Sequence, residues 1–176
     1  MESHRHILKI PKERIAVLIG TKGEIKKELE ENTKTNINVD SEDGDVTITG
    51  KDAVDLYTAK EIIKAIARGF NPEIAQLLLK QDYTFILLNL SDFCKPNDTK
   101  RIKGRIIGKE GKSRNTLEAL TECHISVYGK TVAIIGLNES AMMAKDAIEA
   151  LIRGSPHSKV YSALERQRRE MKNLPI

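Results

Sequence analysis

The chain has 176 residues, of which 31% are charged and only 4% aromatic, and its formal net charge is +4. That length can bury one large core or two small ones, while two cysteines, Cys94 and Cys123, are too few for a disulfide framework or a zinc site and read as small buried apolar residues. No apolar run approaches the ~20 residues of a membrane span and the N-terminus lacks a signal-peptide core, so the expectation is a soluble, cytoplasmic protein without a membrane partner.

In chain order, Arg5–Ile10 is an apolar-rich stretch that suits a first strand. Pro11 can open a helix in which Ile15, Leu18 and Ile19 recur at helical spacing. Gly20-Thr21-Lys22-Gly23 then breaks that helix, and a second helix is predicted over Glu24–Thr33 with Ile25 and Leu29 inward. A hairpin of Thr35–Asp40 and Asp45–Thr49 follows. The helix after it, Lys51–Arg68, places Ala53, Leu56, Ala59, Ile62, Ile63 and Ile66 on one face. Phe70–Lys80, with Pro72 at its start, reads as a joining helix.

The order then repeats. Tyr83–Leu90 suits a strand, and a helix capped by Asp98 or Thr99 should run to Ile107, where Gly108-Lys109-Glu110-Gly111 breaks it. Lys112–Glu122 is the next helix, with Leu117 and Leu120 inward. His124–Tyr128 and Thr131–Gly136 form a hairpin around a two-residue turn at Gly129-Lys130. Asn138–Arg153 carries Ala141, Ala144, Ile148 and Leu151 on one face, and Ser155–Asn173 is a final helix.

Matching segments establish an internal duplication. Leu18–Gly23 returns 88 residues later as Ile106–Gly111, and Thr35–Val39 returns at the same offset as Cys123–Val127. Val46–Gly50 returns at 86 as Val132–Gly136, and Arg68-Gly69 at 85 as Arg153-Gly154. The drop of two places a shorter hairpin loop in the second copy. The expected fold class is therefore α+β, two copies of β-α-α-β-β-α, over residues 1–70 and 82–154, with a joining helix over 71–81 and a C-terminal helix and tail over 155–176.

Charge is concentrated around the second glycine loop. Residues 1–80 carry net −1 and residues 81–176 net +5, and within Lys95–Arg114 eight basic residues face only Asp98 and Glu110. Such a patch beside a glycine-rich turn points to a polyanion. A nucleotide-binding P-loop is excluded: ending G-x-x-x-x-G-K-[ST] on Gly111-Lys112-Ser113 puts Ile106 at the first glycine. The acidic loop Asp40–Asp45 is excluded as an EF-hand, since Asp45 and Lys51 fall where glycine and glutamate are required.

The repeated G-x-x-G between two helices, followed by a hairpin and a third helix, resembles the KH domain, the RNA-binding module that clamps a short single strand by its backbone. Glycine lets phosphate and sugar approach main-chain N–H groups at a helix start, where the helix dipole favours an anion. On that resemblance Gly108, Lys109, Gly111 and Lys112 clamp the backbone, Ile106 and Ile107 help floor the groove, and His124, Ile125 and Ser126 form the wall facing the bases. Glu110 stays solvated at a variable site of the loop. Arg101, Lys103, Arg105 and Arg114 supply positive charge, and Gly20, Thr21, Lys22 and Gly23 are the counterparts in the first copy. An RRM, which stacks bases on sheet aromatics, does not fit 4% aromatic content.

The usual KH pattern has an apolar residue three positions after the second glycine, where this chain has Lys26 and Arg114. With RIKGRIIGKEGKSRNTLEALTECHISVYGKTVAIIG over Arg101–Gly136 and a tandem pair spanning residues 5 to 172, the chain resembles the Partner-of-Nob (Dim) family of ribosome-assembly KH proteins in compact archaeal form. The resemblance implies binding near the 3′ end of small-subunit rRNA beside the endonuclease that trims it, among other pre-ribosomal proteins, with no cofactor and no catalysis. It also implies a first copy without G-x-x-G in eukaryotic relatives, whereas here that loop is intact. Ile7–Lys26 carries net +3 against +6 for Lys95–Arg114, which ranks the second copy as the main clamp.

Two other classes follow from the residues. An enzyme would need a His/Asp/Glu cluster, yet His4, His6, His124 and His157 are scattered, and His4, His6 and His157 read as surface histidines. A protein-interaction platform would use the basic helix Lys159–Lys172, whose Arg166, Arg168, Arg169 and Lys172 also suit RNA backbone.

Overall fold

Six residues, His4–Lys9, form the first strand, β1, of the computed structural model, which describes residues 4–174. Two units are distinguished, the second beginning at Asp82. The expected outer boundaries at 1 and 176 lie outside the described residues.

In the first unit β1 is followed by α1 (Lys12–Ile19), α2 (Glu24–Thr33), β2 (Thr35–Val39), β3 (Asp45–Gly50), α3 (Ala53–Ala67) and the single turn α4 (Pro72–Ala75). The sheet is antiparallel in the order β1-β3-β2, with Ile7 opposite Thr47 and Ile37 opposite Ile48. Alternation along β3 is clean: Val46 and Ile48 are fully buried and Thr47 and Thr49 half-buried. Leu18, Leu29, Ile62, Ile63 and Ile66 complete the core from the helices. Asp52 caps α3, its carboxylate accepting from the backbone N–H of Val54 at 2.8 Å and Asp55 at 3.1 Å.

The second unit repeats the order with β4 (Tyr83–Asn89), α5 (Thr99–Ile107), α6 (Lys112–Thr121), β5 (His124–Tyr128), β6 (Thr131–Leu137) and α7 (Asn138–Ile152), and adds α8 (His157–Lys172). Its sheet order is β4-β6-β5. Here alternation fails: every residue of β6 from Thr131 to Gly136 is buried, so this strand is covered on both faces. Gly136 fits the requirement, because a Cβ there would collide with the Cys123 thiol. That thiol is itself buried, and desolvation pushes its pKa up to about 11. Cys94 is half-buried, and both cysteines are free.

The offsets locate the loops. Val39 pairs with Val46 and its counterpart Val127 with Val132, so the second loop is two residues shorter and reduces to Gly129-Lys130, with Gly129 at φ 56. Several expectations are corrected. The joining helix is one α turn, Pro72–Ala75, that tightens into a 3-10 turn over Gln76–Leu79. Asp98 does not cap α5: it sits in αR conformation within a 3-10 turn over Pro96–Asp98, and its carboxylate pairs with Arg101 at 3.4 Å instead. Ala53, in the first turn of α3, is exposed, and Ile25 and Leu120 are half-buried rather than inward.

Candidate nucleic-acid interface

The two glycine loops share one conformation. α5 ends where the Gly108 N–H reaches the Gly104 carbonyl at 2.8 Å, and Gly108 itself has φ 74 and ψ 175, a region essentially confined to glycine. A 3-10 turn over Lys109–Gly111 follows, Glu110 taking φ 56 and Gly111 φ 74, and α6 starts at Lys112. In the first copy Gly20 (φ 74, ψ 179), Lys22 (φ 53) and Gly23 (φ 77) repeat these values. A Cβ on Gly108 would lie 2.7 Å from both the backbone nitrogen and the Cβ of Ser113. Gly108 is thus required twice over, by its dihedrals and by the close approach of α6.

This geometry sets exposed Lys109 and Lys112 at the start of α6, where the helix dipole favours an anion, while the Gly111 and Lys112 N–H groups close back on the Gly108 and Lys109 carbonyls. Glu110 is exposed as well. A cleft of about 650 Å³ runs along the outer side of α6 from this loop, lined by Lys109, Glu110, Lys112, Asn115, Thr116, Ala119 and Leu120. Arg101 is exposed and Lys103 half-buried on α5, the former held by Asp98.

Arg105 is set apart from these cations. Its Nε donates to the Leu151 carbonyl at 3.1 Å and its Nη2 to the Ser155 carbonyl at 2.6 Å, so the guanidinium ties α5 to the end of α7. Arg14 does the same in the first copy, reaching the carbonyls of Ile66 and Phe70, which are the counterparts of Leu151 and Ser155 at offset 85. The arginines themselves stand one turn apart on their helices. For Arg105 the expected role in RNA contact gives way to an internal one.

Of the expected floor residues, Ile106 is fully buried in the core with Leu117 and Ile134 and Ile107 is half-buried; of the expected wall residues, Ile125 is buried, at 3% exposed. His124 and Ser126 are half-buried on β5, an edge strand of its sheet. Sequence reading missed how α6 is fixed against that edge: the Glu118 carboxylate accepts the Ile125 N–H at 2.8 Å, and Glu30 holds Ile37 identically at 2.7 Å. The recurrence of glutamate at offset 88 was the available signal.

α8 is a packing element as well as a basic helix. Val160 and Leu164 are buried, the Tyr161 hydroxyl donates to Ser113 Oγ at 3.0 Å, and Arg168 pairs with Glu122 at 3.3 Å. His157 is no free surface residue: its Nε2 lies 2.8 Å from the Arg105 carbonyl and its ring meets Tyr161 edge-on at 5.9 Å. Exposed Arg166, Arg169 and Lys172 line the outer side of this helix. In the first copy Thr21 and Lys22 are exposed and Lys26 pairs with Glu30 at 3.3 Å. The acidic loop is a turn closed by the Asp40 carboxylate, which accepts from the N–H of Glu42 and Asp43. Among the described residues no group of His, Cys, Asp or Glu could hold a metal ion, and no helix is long and apolar enough to cross a membrane.

Comparison with known proteins agrees with this architecture. Residues 84–169 match the model for the second KH domain of PNO1, a eukaryotic-type (type I) KH domain, and residues 5–65 match the general KH domain model. A KH domain-containing protein of Methanocaldococcus jannaschii is 47% identical over 171 residues, 94% of this chain and 75% of that protein. The pre-rRNA-processing protein PNO1 of Chaetomium thermophilum is 32% identical over 113 residues, 62% of this chain and 44% of that protein, so the chain spans under half of this eukaryotic relative. In the crystal structure of the a/eIF2alpha-aDim2p-rRNA complex from Pyrococcus horikoshii OT3, the matching chain superposes with a TM-score of 0.89 at 46% identity, over 96% of both chains. The duplicated β-α-α-β-β-α unit, its two G-x-x-G turns and these likenesses make the chain a member of the PNO1/Dim2 family of tandem KH-domain proteins.

Proposed function

We propose that this chain binds single-stranded RNA near the 3′ end of small-subunit rRNA and acts, without catalysis of its own, as a cytoplasmic small-subunit assembly factor. The second copy is the main clamp and the first an auxiliary or protein-facing surface. The observation that carries this reading is the turn Gly108–Gly111, whose backbone opens the start of α6 between exposed Lys109 and Lys112. Support comes from relatives described as pre-rRNA-processing proteins and from the Dim2p structure that includes rRNA. Gly108, Lys109, Gly111 and Lys112 hold the sugar-phosphate chain, Arg101 and Lys103 add attraction, and His124 and Ser126 on β5 face the bases. The rRNA-trimming endonuclease and other pre-ribosomal proteins are the protein partners this role requires.

The test is direct binding of three RNAs of equal length: a single strand matching the 3′ end of small-subunit rRNA, its scramble, and a duplex. The single strand should bind above the duplex, and the rRNA sequence above the scramble. Equal binding of all three would reduce the basic surface to generic attraction, leaving α8 and its exposed arginines as a platform for a protein partner.

A further inference from the structure

The second glycine turn has a support that the first lacks. Ser113, the second residue of α6, is buried directly behind Gly108, its backbone nitrogen and Cβ each 2.7 Å from where a Gly108 Cβ would stand. Its Oγ accepts from the Tyr161 hydroxyl at 3.0 Å. On the other side of the turn, the Arg105 carbonyl lies in the last turn of α5, where backbone acceptors have no partner within the helix. His157 Nε2 reaches it at 2.8 Å, and because a carbonyl only accepts, the bond requires that nitrogen to carry the proton. His157 and Tyr161 are four residues apart, so one face of α8 holds both helices that flank the turn. Val160 and Leu164 bury α8 in the core of its unit, and Arg105 fixes the entry to it through the Ser155 carbonyl.

In the first copy the place of Ser113 is taken by Ile25, whose side chain backs Gly20 just as closely but offers no hydrogen bond. The two turns therefore share dihedrals but not bracing. Bracing matters because a site already held in its bound geometry loses less freedom when a ligand arrives. The second turn is a demanding one to hold, since Gly108, Glu110 and Gly111 all have positive φ and Glu110 does so with a side chain. Resting on the reading of the second copy as an RNA clamp, we infer that Tyr161 is a positioning residue for that clamp, fixing the start of α6 against the glycine turn through Ser113. It acts through the turn and makes no contact with RNA. The ranking of the two copies then has a mechanical source beside the electrostatic one.

The experiment measures affinity for the single strand matching the 3′ end of small-subunit rRNA, well below the melting temperature, for the full chain and its Tyr161→Phe, Ser113→Ala and double variants. Amide hydrogen exchange is followed at both turns in the same proteins. Each single variant should bind about fivefold more weakly, the effect of one hydrogen bond, and the double variant no more weakly than either. Exchange should quicken at the Gly111 and Lys112 N–H groups, which close on the Gly108 and Lys109 carbonyls. It should stay unchanged at Gly23 and Glu24, which make the same bonds in the first copy. A lowered melting temperature with unchanged affinity would reduce the pair to ordinary packing and overturn the inference. Losses that add in the double variant, or a loss in Tyr161→Phe that Ser113→Ala does not reproduce, would place the hydroxyl on the RNA and overturn it as well. If wild type bound no RNA while exchange at the second turn still responded to Tyr161→Phe, the clamp reading would fall and the inference with it, a result distinct from the others.

Discussion

At the scale of single residues, the two glycines of the second loop have different reasons to be glycine. Gly108 combines φ 74 and ψ 175 with a Cβ position 2.7 Å from Ser113. Gly111 has φ 74 and ψ 11 with open space around it. Gly111→Ala should therefore lose only the left-handed penalty of about 1–2 kcal/mol. Gly108→Ala should lose more, since its dihedrals alone cost about 1–3 kcal/mol and α6 must also move. Urea denaturation of the two variants measures the difference, and equal losses would mean that the close approach to Ser113 is readily relieved. Motif and spacing made both glycines legible, but not Arg105: a lone arginine in a basic run looks like any other until the carbonyls of Leu151 and Ser155 are brought to it by the fold.

At the scale of elements, each helix reflects what its sequence can and cannot specify. Asp52 gives α3 a start that Asp98 fails to give α5, because only Asp52 has the extended backbone an N-cap needs. Hydrogen bonds from the backbone N–H of Asp55 and then Val54 lower the Asp52 pKa below its ordinary value of 3.8. A lowered carboxylate pKa stabilises the folded state fully above that value and is lost as pH falls through the folded one. Asp52→Asn, which keeps the acceptor, should thus flatten the pH dependence of thermal stability below about pH 4 and leave its neutral-pH stability nearly unchanged. An identical acid profile for both proteins would count against the cap. Strands, the hairpin offsets and the paired helices were readable because local periodicity and the repeat agreed. The joining segment and the role of α8 were not: Leu77-Leu78-Leu79 has no period, and whether α8 packs on α6 depends on Tyr161 meeting Ser113, a contact between residues 48 apart.

At the scale of the whole molecule, the duplication supplies two loops of the same conformation with unequal charge. Identical turns at Gly20–Gly23 and Gly108–Gly111 mean that conformation cannot rank them. The flanking charge, +3 against +6, can. Binding driven by phosphate contacts weakens with salt, with a slope of about −0.7 per phosphate neutralised on a single strand. The most direct measurement compares RNA affinity across salt concentrations for wild type, Lys109→Asp/Glu110→Asp and Thr21→Asp/Lys22→Asp, all checked by circular dichroism for folding. The second-loop variant should lose most of the affinity and flatten the salt slope, while the first-loop variant stays close to wild type. Equal losses from the two variants, or a first-loop variant that loses more, would contradict the assignment of the second copy as the main clamp.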